Sequence, residues 1–298
     1  MDKRQRSYRL FVGPNYIRTD PFQKTGELLG DGQTIEILPP FTVEFDINRK
    51  DLAAASEANI RIFNLNEDRR KRIYKDGQDF SLYKQVQLDA GYGTDLSNIF
   101  KGNIRQAYSV REGTNYITEI NAFDGGDALI NGTVEQSFLS GTPKNQIIDT
   151  VIGSMPNVTK GVVGEFEGSS LRGSVVSGNS ANILKEMTNG GFFIDSEKVY
   201  CLNPEECVQG QVTVIDSDMG LLGTPKREGS VITVEILFEP RIKMAQIIQL
   251  NSITEKNYNS IYKVVGIKHR GTISDAICAD AVTTLTLWVG PKQFRVVG

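Results

Sequence analysis

One histidine, three cysteines and one tryptophan are spread over 298 residues, and each scarcity closes off a chemistry. Nucleophilic triads and zinc sites need histidine or paired cysteine with partners. A lone His269 and the unpaired Cys201, Cys207 and Cys278 do not supply them, so free thiols are expected. An odd, small number of cysteines also makes no disulfide framework, and assembly in a reducing compartment is expected. No stretch reaches the roughly 18 apolar residues of a membrane span. No apolar run of about 7 to 15 residues follows the basic start MDKRQRSYRLFVG, so neither stable membrane insertion nor a secretory leader is expected. Charge of one sign is missing too: 33 Lys and Arg against 36 Asp and Glu leave a net charge of -3. That balance gives no general steering toward nucleic acid, and a hydrophobic fraction of 39% argues against disorder.

What is present is glycine, 29 residues of it, punctuating short segments of β type. IEILPPFTVEFDI (35–47) alternates apolar and polar residues and is broken by Pro39-Pro40, as a strand pair or edge strand would be. NIRIFNL (59–65) alternates again with apolar groups on both faces, so both are expected to be covered. NLNEDRRKRIYKDG then changes period. Asn64 is placed to cap a helix over Asn66 to Lys75, with Glu67 three residues on, acids first, bases after and Gly77 as the stop. Its basic cluster, Arg69 to Arg72, reads as a solvated helix face. Strand patterns return in YKQVQLDAGYG, NIFKGNIRQAYSV and NYITEINAFDG, as in a barrel or sandwich.

Near residue 130 the pattern switches. Thr142-Pro143 opens a helix whose Ile147, Ile148, Val151 and Ile152 form one stripe. Residues 157–178 read as a long loop with room for one strand, SANILKEMTNGG as a second helix ending at Gly190-Gly191, and GFFID and KVYCL as a hairpin turning at Asp195-Ser196-Glu197. The last third, from QVTVID to TTLTLWVG, is strand-like throughout. Gln85-Val86-Gln87-Leu88 leading to Ile99-Phe100-Lys101 is echoed by Ile247-Ile248-Gln249-Leu250 leading to Ile261-Tyr262-Lys263, as if one unit occurred twice.

No motif carries chemistry. There is no phosphate loop and no dinucleotide fingerprint. Asp124-Gly125-Gly126-Asp127 and Asp216-Ser217-Asp218 pair carboxylates near glycine but lack a calcium loop's full ligand set, and read as turns. Glu165 and Glu167, which a glycosidase could use at a fixed separation, lie in a Gly-rich stretch and, with Glu205 and Glu206, read as loop-solvating. His269, beside Gly271, is placed at a strand end in a hydrogen-bonding or interface role. The sequons at Asn131 and Asn157 matter only in a secretory pathway.

The strings NIRIFNLNEDRRKRIYKDG, VQLDAGYG and IFKGNIRQAYSVREGTNYITEINAFDGG resemble baseplate hub proteins of contractile-tailed bacteriophages. So do GLLGTPKREGSVITVEILFEPRIKMAQIIQLNS and SIYKVVGIKHRG, which resemble the hub's C-terminal tube-like domain, and TPKNQIIDTVIGSM with NSANILKEMTNGGFFIDSEKVYCL, which resemble its small α/β domain. The resemblance implies a mainly β (α+β) chain: a first tube-like antiparallel β-barrel with an N-terminal arm over 1–130, an inserted small α/β domain over 131–210, and a second tube-like barrel over 211–298. It implies a homotrimer joining the hexameric tail tube to the central spike amid other baseplate proteins. Such a hub sits in the virion's tail baseplate after assembly in the host bacterial cytoplasm, and leaves a channel for DNA. It implies no catalysis, no cofactor, no metal and no recognition of a specific nucleic-acid sequence; the interface residues stay unknown. Two structural alternatives stand beside it, a tube-initiating or distal tail ring protein and a receptor-binding β module. An enzymatic one, a cell-wall-active tail enzyme using Glu165, Glu167 or the Asp124 and Asp127 pair, stands further off.

Overall fold

The computed structural model describes residues 5–17, 27–29, 33–50, 55–78, 82–170, 172–275, 279–290 and 293–298; Cys278 and the first four residues of the basic start lie outside them. The chain opens with β1 (Arg6–Ile17), β2 (Glu27–Leu29), β3 (Ile35–Ile37), β4 (Val43–Lys50) and β5 (Glu57–Phe63). Helix α1 (Glu67–Ile73) follows, then β6 (Leu82–Tyr92), β7 (Asp95–Glu112) and β8 (Asn115–Phe123). The break at the two prolines falls as expected, between β3 and β4. Period-2 alternation puts Val43, Phe45 and Ile47 inside and leaves Glu44, Asp46 and Asn48 half-exposed. On β5 only one face is covered, contrary to expectation: Ile60 and Ile62 are buried, whereas Arg61 and Phe63 stay half-exposed on the face that carries the Glu44 and Glu119 carboxylates.

Helix α1 is real but its cap is Asn66, whose side chain accepts from the Arg69 N–H at 2.9 Å; Asn64 instead takes a left-handed turn (φ 59°) and its side chain binds the Tyr116 N–H. Acids in the first turn and bases in the last complement the helix dipole. The buried Lys84 ammonium donates to the Arg72, Ile73 and Tyr74 carbonyls, closing the helix's C-terminal end.

The middle of the chain holds α2 (Gly126–Asn131), β9 (Thr133–Phe138), α3 (Lys144–Ser154), β10 (Thr159–Val163), β11 (Ser174–Asn179), α4 (Ser180–Met187), β12 (Phe192–Asp195) and β13 (Lys198–Cys201). The α3 stripe of Ile147, Ile148, Val151 and Ile152 is buried as read. Two strands, not one, occupy the glycine- and serine-rich stretch, and α2 stands where a turn alone was expected. At Gly125 (φ 61°) an added Cβ would lie 2.5 Å from Ile194 Cδ1, so both backbone shape and close packing call for glycine there.

The remainder is β14 (Glu206–Val208), β15 (Thr213–Ile215), β16 (Leu221–Glu228), β17 (Val231–Leu237), β18 (Ile247–Leu250), β19 (Ser260–Ile273), β20 (Ala281–Trp288) and β21 (Arg295–Val297). Among the described residues the longest helix, α3, has 11 residues, and no helix is long and apolar enough to cross a membrane.

One sheet of 14 strands runs through both ends of the chain in the order β16-β17-β20-β19-β4-β5-β8-β7-β6-β1-β2, with β18, β15 and β3 branching from it. Two stretches of this path are the same design. β4 to β8 lie as 4-5-8-7-6, and β16 to β20 lie as 16-17-20-19, with β18 on the other flank of β19. Each is an antiparallel hairpin followed by a three-stranded meander folded back onto it. In each, the middle meander strand carries a bulge against its successor, between Ile104 and Gln106 and between Val264 and Gly266. The echoed strings fall in β6–β7 and β18–β19, but at different registers: Leu88 faces Phe100, whereas Tyr262 faces Ile248, not Leu250.

The two stretches join edge to edge. β4 pairs with the C-terminal half of β19 from Gly266↔Lys50 to Ile273↔Val43. The mainly β, antiparallel architecture with an α/β insertion is thus as expected, and its two repeated stretches share one sheet. Ile273, Ala281 and Phe238 pack in the same core as Leu10, Ile60 and Leu88; a second core gathers Val234, Ile248, Val264 and Leu285; a third, around Ile148, Val151, Leu184 and Val199, belongs to the middle segment.

Candidate assembly surfaces

The face of the sheet turned away from the cores is polar across the β19–β4 seam. Register places Lys268 and Arg270 of β19 beside Asn48 and Asp46 of β4, and carries the same face to Arg61 on β5 and Glu119 on β8. Several of its charges are paired with a neighbour of opposite sign. Lys268 Nζ lies 3.1 Å from Asp46, and the Arg61 guanidinium reaches Glu44 at 3.0 Å, Glu119 at 3.1 Å and Glu112 at 3.2 Å. These carboxylates hold the Arg61 pKa above its ordinary value, although burial opposes them. Half-exposed pairs of this kind add little stability. Their effect is to neutralise Lys268 and Arg61 locally.

A second, buried polar cluster fixes the middle segment to the first half. The β12–β13 turn places Ser196 and Glu197 at φ 54° and 60°, a turn that usually calls for Asn or Gly. Both of its N–H groups donate to one carboxylate, Asp124, at 2.5 and 2.9 Å, which offsets the backbone cost. Beside it Arg49 Nε donates to Asp195 at 2.9 Å, both groups being buried, and Lys101 pairs with Glu197 at 2.9 Å. Burial, with the neighbouring Asp195 charge, pushes the Asp124 pKa up to about 7 against the pull of the two N–H groups and Arg49. Sequence reading missed this cluster; its visible trace was the Asp-Gly-Gly-Asp turn.

His269 is not at a strand end but in mid-β19, fully buried, with Nδ1 2.9 Å from Thr283 Oγ1 and its ring edge-on to Phe238. Burial, then the Arg49 charge, pushes its pKa down to about 3, which keeps the ring neutral. Cys201 and Cys207 are free, buried thiols; burial raises both, Cys201 to about 12, so neither is a reactive thiolate at neutral pH.

The carboxylates weighed for catalysis are spread over separate surroundings. Asp124 is locked into the turn, and Asp127 accepts from the side chains of Asn131 and Asn157, the two sequon residues, at 2.9 and 2.6 Å. Glu165 pairs with Arg295 at 2.6 Å, Glu167 lines an open groove beside α3 and α4, and Glu205 is exposed. Glu206 is no loop-solvating group: it is buried and accepts the N–H groups of Asn203 and Glu165. Asp216 accepts the Met219 N–H as a turn residue. Among the described residues no cluster of three His, Cys, Asp or Glu is placed to hold a metal.

Solved structures place this architecture among tail proteins. The 43 kDa tail protein of prophage MuSo2 from Shewanella oneidensis superposes with a TM-score of 0.59 at 7% identity, over 92% of this chain and 96% of that one. A tail protein from Neisseria meningitidis MC58 gives 0.53 at 10% identity, over 93% and 96%. The E. coli c3393 protein, a type VI secretion component described as similar to the T4 tail proteins gp27 and gp5, gives 0.53 at 7% identity, over 87% and 76%. At such identities the likeness establishes the fold alone, one shared with these tail proteins. The sequence itself matches the family described as baseplate hub gp41 over residues 29–272, and the chain belongs to that family. No curated protein matches it. Its role is therefore structural, in the baseplate of a phage tail.

Proposed function

We propose that the chain forms a trimeric ring that adapts a hexameric tail tube to a threefold central spike and leaves a channel through which DNA passes. In this reading the chain divides into two tube-like modules, 1–130 and 211–298, and an inserted α/β module, 131–210. The observation that carries the proposal is the strand order met twice in one sheet and joined edge to edge at β19 and β4. Two equivalent modules in each of three copies make six positions, the number a hexameric tube presents. The paired, near-neutral face suits a lumen, since a strongly basic wall would bind the phosphate backbone and retard passage. The role is non-enzymatic, with no cofactor or metal. The paired and buried carboxylates described above favour it over the cell-wall-active alternative, which predicts hydrolysis of peptidoglycan.

Light scattering coupled to size exclusion tests the reading. Three times 33.0 kDa is about 99 kDa, and closed rings have discrete masses. A mass near that value, alone or on adding tail tube or spike protein, supports the hub; a stable hexamer favours the tube-ring alternative.

A further inference from the structure

Edge strands are places where a further strand can add, and folded proteins blunt them with charge or proline. β16, the terminal strand of the large sheet, is blunted in this way by Pro225, Lys226, Arg227 and Glu228. β11 is not. Its six residues, SVVSGN, hold neither charge nor proline, and among the described residues it pairs only with β9. The register fixes which of its backbone groups are left over. Asn179 lies opposite Thr133, and the next residue, Ser180, donates its N–H to the Gly132 carbonyl. At the two-residue period Gly178, Val176 and Ser174 therefore turn their N–H and C=O groups toward β9, and Val175 and Ser177 turn theirs away. No hydrogen bond takes up that outward side among the described residues. Val175 is also 70% exposed, so neither its backbone nor its side chain is covered.

That flank borders a groove. Val175 and Val176, whose side chains leave opposite faces of β11, line one cavity of about 640 Å³, so the cavity runs along the strand's edge. Ile147 of α3 with Ile183 and Met187 of α4 supply its apolar wall, and Glu167 and Glu186 stand exposed around it. Lys144, the cation of the same groove, lies over the Phe166 ring, 5.6 Å from its centre. Neither glutamate has an ion pair among the described residues. We infer that this flank receives an extended, basic segment of a partner protein as a third strand beside β9 and β11. The segment's backbone bonds Val175 and Ser177, its alternate apolar side chains lie on Ile183 and Met187, and a Lys or Arg meets Glu167 or Glu186. Its extended form follows from the unused strand groups, its alternation from the apolar wall and its charge from the two acids. The site lies wholly within the middle segment and does not rest on the ring reading.

The test uses the full chain and a labelled, end-blocked probe peptide, Lys-Val-Thr-Val-Thr-Val-Lys, read by fluorescence anisotropy and by hydrogen exchange resolved to single amides. Binding that slows exchange at Val175 and Ser177 is expected, and the same peptide N-methylated on every central amide should not bind. Val175→Pro removes an outward N–H, spares the β9 ladder and puts its ring in the groove, so binding should weaken about tenfold or more. Glu186→Lys, on an exposed helix face, should weaken it at low salt and flatten its salt dependence. Equal binding of the N-methylated peptide, or equal binding by Val175→Pro, would show apolar adhesion and overturn the proposal. So would no binding up to millimolar peptide, or saturation that leaves the two amides exchanging as before. Protection of Val175 and Ser177 at high chain concentration without peptide would assign the flank to a second copy and overturn the partner. The trimer mass plays no part in any of these outcomes, so failure here leaves the ring reading standing.

Discussion

The two halves of the shared sheet have the same strand order and different coverings. In the first half β6 is flanked by β1 along ten residue pairs, β1 by β2 and β3, and α1 closes one end of the core through Ile73. In the second half β18 is flanked by the three-residue β15, and no α-helix links β17 to β18. The second core is completed from outside instead: Phe193 and Leu202 of the middle segment pack into it, with Tyr200 stacked on Phe193. One strand design thus tolerates two ways of being buried, because a sheet needs only some apolar partner for its inner face. The difference is what makes a repeated module unequal to its twin.

That comparison can be broken at its strongest points first. Phe193→Ala and Arg49→Ala are each expected to cost about 3–5 kcal/mol, the first by emptying a core site and the second by leaving Asp195 buried without its partner. Denaturant unfolding gives the size, and hydrogen exchange the place. Phe193→Ala should weaken protection in β18 and β19 more than in β4 and β5, whereas equal loss in both halves would mean that the insertion does not support one half selectively. Lys84→Met is the matching lesion in the first half. Three carbonyls at the end of α1 lose their donor, about 1–3 kcal/mol, with faster exchange at residues 70–74 as the signature.

The buried polar groups sharpen the comparison through pH. His269, depressed to about 3, binds protons more readily when unfolded, so its contribution is full above pH 6.5 and is lost on acidification below it. Asp124, raised to about 7 from 3.8, has the opposite sign: it binds protons more readily when folded, and stability falls as pH rises through that interval. Between about pH 4 and 6.5 the two slopes oppose each other. Asp124→Asn should unmask a slope approaching about 1.4 kcal/mol per pH unit, with stability rising toward neutral pH. A midpoint as flat as the parent's would remove His269 as the titrating group. The smallest effect is expected on the open face, where Arg61→Ala should change stability by only about 0.2–1 kcal/mol because its partners remain hydrated; thermal unfolding at low and moderate salt would check it.

Much of the fold was legible in the sequence because its signals are local. The α3 stripe, the hairpin turn at residues 195–197, the break at Pro39-Pro40 and the alternation on β4 each lie within one element, where side-chain period alone fixes which face is buried. Misreadings came where two local options were nearly equal. Asn64 and Asn66 both suit a cap, and only the contact of Asn64 with β8 decided between them. Asp124 looked like any turn carboxylate, since its partners lie 72 and 73 residues away.

The sequence by itself therefore determined most of the strands, the helices α1, α3 and α4, the middle α/β segment and the near-zero net charge. Only the tertiary structure decided in which strand order the two stretches repeat, that β4 and β19 join them, and that one face of the seam is polar. The physical reason is that pairing between strands is carried by backbone groups common to every residue. A segment announces that it is a strand, and only the packed cores determine which strand it meets.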